Sequence, residues 1–128
     1  TRRRRIGPQL YQQDFMPQAA LQQAFATSRL IVARSGYSTV LDLATLGCPH
    51  VLFVPTPSQP EQEYLAERLT QHPGYQTQSQ QHLDLKAAWQ KRLSGTTPTP
   101  LQSPFNGKSL EETVRHLIST IKRPPNRL

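Results

Sequence analysis

Leu30-Ile31-Val32-Ala33-Arg34-Ser35-Gly36-Tyr37-Ser38-Thr39 decides the fold of this 128-residue chain. Its first four residues are a β-branched apolar run, too short for a helix and apolar on both faces. That pattern predicts a central strand of a parallel sheet. The run passes directly into a Ser/Gly/Thr turn, and a helix is expected from there to Leu46, ended by Gly47 and then Pro49. Val51–Val54 reads as a second buried strand. Pro55, Pro57 and Pro60 stiffen the next loop, and Glu61 opens a third helix running to about Gln71. Strand, helix, strand, helix with short connections predicts a right-handed βαβ crossover in an α/β sheet with helices on both faces.

Outward from this segment the signals weaken. Upstream, Ala20, Leu21, Ala24 and Phe25 recur at helical spacing after an extended Gln9–Phe15 segment and Pro17. Downstream, Tyr75–Gln78 predicts an edge strand and Leu83–Leu93 an amphipathic helix, whose Leu85, Trp89 and Leu93 form a stripe expected in the core. Gly95–Gly107 is rich in Thr, Pro and Ser and reads as a mobile loop. Ser109-Leu110-Glu111-Glu112 has capping-box spacing and opens a last helix with Leu110, Val114, Leu117, Ile118 and Ile121 on one stripe.

Composition bounds the function. Fifteen Lys plus Arg against eight Asp plus Glu give a net charge of +7, while apolar residues are only 35%. The length suits one domain with a genuine core. No apolar run nears the roughly eighteen residues needed to cross a bilayer, and the opening Thr1-Arg2-Arg3-Arg4-Arg5 has no signal-peptide apolar stretch behind it. Thr1 is not a start methionine, so the chain is expected to be processed or a piece of something longer. The single Cys48 excludes an internal disulfide and suits a reducing compartment. His50, His72, His82 and His116 are scattered without metal-ligand spacing and read as surface or interface residues; no metal site is expected. P-loop, dinucleotide and α/β-hydrolase motifs are missing.

The turn after the first strand is where open α/β sheets bind ligands. A helix start presents backbone N–H groups and about half a positive charge, which together hold a phosphate. Gly36 has no side chain to keep the anion away, Ser35, Ser38 and Thr39 offer hydroxyls, and Arg34 offers charge. An ordinary helix cap places the same residue types there, so spacing alone leaves both readings open. Asp42, one turn on, suits a sugar's vicinal hydroxyls or simply the helix dipole. The loop Pro55–Glu63 brings a carboxylate and an amide, Glu61 and Gln62, to a second helix start at the same sheet edge; Glu there also complements a dipole without any ligand.

These motifs together resemble the C-terminal domain of glycosyltransferase family 28, which includes the MurG-type N-acetylglucosaminyltransferases. The likeness lies in Ala33–Leu43, in Gly47-Cys48-Pro49 before Val51–Pro55, and in Glu61-Gln62-Glu63-Tyr64-Leu65-Ala66. It implies half of a GT-B fold, in which two Rossmann-like domains face each other across a cleft, and a UDP-sugar as donor substrate with no further cofactor. Carried over by position, Arg34, Ser35, Gly36, Tyr37, Ser38 and Thr39 would hold the diphosphate, and Asp42, where the family more often has Glu, the ribose. Glu61 and Gln62 would contact the donor sugar, and Phe15 and Met16 the uracil. Leu65 stands where the family has Asn. No catalytic residue is expected here, because the base belongs to an N-terminal acceptor-binding domain in the same chain or to a partner subunit.

The implied organisation is a basic tail over 1–8, a partial nucleotide-sugar-binding domain over 9–123 and a tail over 124–128. A cytoplasmic location is expected. The charge concentrated at both ends suits a peripheral contact with an anionic membrane surface. Two rival readings remain: a degenerate, non-catalytic interaction module of the same fold, and nucleic-acid binding through Arg2–Arg5, Arg29, Arg34, Lys91, Arg92, Lys122, Arg123 and Arg127. Few aromatics and no recognition motif count against nucleic acid.

Overall fold

The computed structural model describes residues 3–95 together with Glu112, Arg115, His116 and Ser119. Two sheets are present among them. The first is an antiparallel hairpin of β1 (Arg3–Gly7) and β2 (Leu10–Gln13); the second is parallel, with β3 (Ile31–Ala33), β4 (Val51–Phe53) and β5 (Tyr75–Thr77) in that order. Helix α1 (Gln18–Thr27) precedes β3, while α2 (Tyr37–Thr45) and α3 (Pro60–Leu69) connect the parallel strands. After β5, a 3₁₀ turn at Gln80–His82 leads into α4 (Leu85–Ser94).

Helices cover both faces of the parallel sheet, as the crossover pattern predicts. Ile31, Val51, Phe53 and Tyr75 alternate onto one face and pack against Val40, Leu43 and Ala44 of α2 and Leu65, Ala66 and Leu69 of α3, with Phe25 of α1 at the margin. Two successive crossovers of the same hand in one direction put α2 and α3 on that shared face. On the opposite face Leu52 and Val54 pack against Ala88 of α4, and the buried Gln76 donates its Nε2–H to the Ala88 carbonyl at 3.1 Å.

Local signals account for the boundaries that position the site. Gly47, with φ of +68°, ends α2 in a left-handed residue, and the Gly47 and Cys48 amides return to Ala44 and Leu43 at 3.1 and 3.0 Å. This is the paired C-terminal closure that glycine favours. Pro60 occupies the first turn of α3, with Glu61 and Glu63 at its positive end and Arg68 at its negative end.

Four expectations change. Arg3–Gly7, expected as tail, pairs with β2. β3, expected to be central, lies at an edge among the described residues, and Val32, which pairs with Leu52 and so shares α4's face of the sheet, is still 48% exposed there. Trp89, Leu85 and Leu93 stay exposed, because α4 turns the small Ala88 to the sheet. His50 and His72 are buried, not superficial. The expected loop over 95–107 beyond Gly95, the last helix's apolar stripe and the 124–128 tail lie outside the described residues. Glu112, Arg115, His116 and Ser119 are helical and exposed.

Candidate functional site

The carboxyl ends of β3, β4 and β5 share one edge of the sheet, so their three following loops converge there. Arg34 spans all three. Its guanidinium donates to the Val54 and Pro55 carbonyls at 3.1 and 3.2 Å and to Gln80 Oε1 at 2.6 Å. All three acceptors are neutral, so these bonds tie the loops together while the guanidinium keeps its charge.

Ser35 is fully buried, and its hydroxyl donates to the Gln62 carbonyl oxygen at 2.6 Å. It pins the start of α2 to α3, and the hydroxyl hydrogen is used within the protein. Gly36 then caps α2 in extended geometry (φ −73°, ψ 157°), and no side chain caps the helix. The first intrahelical donor is Val40, bonding to the Gly36 carbonyl at 3.0 Å, so the Ser38 and Thr39 amides lie ahead of the helical ladder. A Cβ on Gly36 would meet only Gln62 Nε2, at 3.9 Å. Gln62 Oε1 accepts from the Thr56 amide at 2.8 Å, which fixes the side chain and leaves its N–H donors against Gly36. Tyr37 and Glu61 face each other electrostatically across the two helix starts: burial, and after it the Glu61 carboxylate, holds the Tyr37 phenol above its ordinary value.

The structure thus brings Gly36, Tyr37, Glu61 and Gln62 together, with Ser38 exposed and Thr39 half-buried on the first turn beside them. Asp42 sits farther along α2, in a groove of about 190 Å³ shared with Gln18, Leu21 and Phe25 of α1. Phe15, 65% exposed, and the half-buried Met16 lie just ahead of α1 in the chain, outside the residues that line that groove. A larger crevice of about 460 Å³ was not anticipated. It runs between α3 and the loop after β5, lined by Ser58, Glu63, Glu67, Thr77, Gln78 and Gln80 among others. The i, i+4 spacing of Glu63 and Glu67 was readable, but nothing local shows that Gln78 and Gln80 return to face them. No group of three His, Cys, Asp or Glu able to hold a metal occurs among the described residues.

The family model for the glycosyltransferase family 28 C-terminal domain matches residues 5–94. The chain belongs to that family. No curated protein and no solved structure matches it. As a family 28 C-terminal domain the chain is half of a GT-B fold, the donor-binding domain of a glycosyltransferase. The match takes in every candidate ligand named above, from Phe15 to Gln62. It also takes in most of the β1–β2 hairpin. Among the described residues no helix is long and apolar enough to cross a membrane.

Proposed function

We propose that this domain binds a UDP-sugar, with a hexose or N-acetylhexosamine as the transferred group. The diphosphate lies against Gly36 and the amides of Ser38 and Thr39. The nucleoside runs from there across the α1–α2 groove, ribose to Asp42 and uracil toward Phe15 and Met16, while the sugar turns toward Glu61 and Gln62. The carrying observation is the uncapped start of α2 with a side-chain-free Gly36 beside the Gln62 amide: positive helix end, close backbone approach and an oriented donor occur in one place. An acceptor-binding domain, in the same chain or on a partner, supplies the catalytic base and the other wall of the cleft.

One pair of observations favours a second reading, an inert module that keeps the fold. Ser35, an expected ligand, uses its hydroxyl hydrogen inside the protein, and Arg34, another, turns both Nη groups to protein acceptors. Calorimetric titration separates the two. Heat of binding with UDP and UDP-N-acetylglucosamine, weaker or lacking with ADP, supports the donor reading; no heat with any of the three at millimolar concentration supports the inert module.

A further inference from the structure

The β1–β2 hairpin exposes both of its faces, although an isolated two-stranded ribbon is marginal in water. Its residues are graded along its length. At the turn, Ile6 is 49% exposed and Leu10 58%, flanking the exposed Pro8. Behind them stand Arg5 paired with Tyr11, Arg4 with Gln12 and Arg3 with Gln13. Arg5 donates to the Gly7 and Pro8 carbonyls at 3.0 and 2.9 Å, which holds the turn closed and its charge at the tip. The Arg3 guanidinium lies 4.3 Å from the centre of the Tyr11 ring. Residues 1–13 contain no carboxylate, and none pairs with Arg3, Arg4 or Arg5 among the described residues.

We infer that this hairpin docks the domain on an anionic phospholipid surface, with Ile6, Pro8 and Leu10 entering the headgroup boundary and Arg3–Arg5 meeting lipid phosphates. Apolar side chains at a tip gain from entering that boundary, an aromatic belongs at its level, and arginines behind it draw on the negative surface potential. Nucleic acid fits less well. It offers nothing to an apolar tip, and the aromatic ring within the ribbon is covered by Arg3 instead of standing free to stack on a base. The inference rests on the hairpin alone and stands or falls separately from donor binding.

Vesicle cosedimentation of the full chain tests it. Vesicles with equal parts phosphatidylcholine and phosphatidylglycerol should bind the protein in a salt-dependent way, and pure phosphatidylcholine should not. Replacing Arg3, Arg4 and Arg5 together by Gln should weaken binding about a hundredfold, since each basic residue near such a surface contributes roughly a fivefold gain. Lys at the same three positions should restore most of it. Ile6→Ser with Leu10→Ser, both exposed and so harmless to the core, should remove the binding that persists at high salt. Equal binding to both vesicle types, no binding to either, wild-type affinity in the Gln and Ser variants, or displacement by polyuridylate at stoichiometric amounts would each overturn the inference. Should the Gln variant misfold, the Lys and Ser variants still decide it.

Discussion

The Ser35 hydroxyl donates to the Gln62 carbonyl oxygen at 2.6 Å, joining the loop after the edge strand β3 to the first turn of α3. Ser35 is fully buried, unlike the other candidate ligands, and its bond holds the residue before Gly36 against the residue that carries the Gln62 amide. Ser35→Ala should cost about 1 kcal/mol, the usual net worth of such a bond, read as a lowered urea midpoint with an unchanged slope. The same variant should weaken UDP binding, because the two helix starts lose their tie. Unaltered stability together with unaltered binding would show that the contact positions nothing.

Acid should destabilise the fold through its buried histidines. His50 and His72 sit at the sheet's other end; His72 stacks on Tyr75 with ring centres 4.3 Å apart and accepts from the Gly74 amide, while His50 Nε2 has no partner among the described residues. Burial lowers both pKa values, with the Arg92 charge adding to the effect at His50 and His50 adding to it at His72. Both are therefore neutral when folded, whereas unfolded histidine titrates near about 6.5. Stability should be complete above that value and fall as the pH drops below it toward the depressed folded values. Urea midpoints measured from about pH 7.5 down to about pH 5 should decline. His50→Leu should shallow the decline and leave neutral-pH stability equal or higher, because it removes an orphaned polar atom. A midpoint that rises on acidification contradicts this account.

Ser58 adopts a φ of +64° in the turn before α3, in the left-handed region. An L-residue there costs roughly 1–2 kcal/mol, against roughly 0.5–1 kcal/mol of added chain entropy for glycine. Ser58→Gly should therefore hold or raise the melting temperature. Ser58→Val, branched at Cβ, should lower stability by about 1 kcal/mol or more. A valine variant as stable as the parent would mean that the turn relaxes out of this conformation.

The parallel sheet was legible because its signals are local and agree. Val51–Phe53 is apolar on both faces and indeed buried on both, and Gly47 ends α2 as its position predicts. Ile31–Ala33 carries the same pattern, yet lies at an edge among the described residues. A strand's own residues do not report how many neighbours it has, and Val32 looks like a core residue until the sheet is laid out. The stripe of Leu85, Trp89 and Leu93 misled for a related reason: close approach of α4 to Leu52 favours the smallest face, that of Ala88. At the site, residue types announced the helix start at Gly36. They were silent on where donors are spent, because the partners of Arg34 lie 20, 21 and 46 residues away in the chain.

Donor binding requires a nucleotide diphosphate to approach the backbone at Gly36, and Gly36→Ala obstructs that approach with a single methyl group. Gly36 has an ordinary negative φ, and an added Cβ touches only Gln62 Nε2 at van der Waals distance, so the variant should fold, losing at most about 1 kcal/mol from the helix cap. The melting temperature of each protein is then followed with increasing UDP-sugar. The parent should show a rise that grows with concentration, as mass action requires, with little or none for ADP, and Gly36→Ala a much smaller rise. A parent that stays flat at millimolar UDP-sugar, or a variant that shifts as far as the parent, would contradict donor binding there.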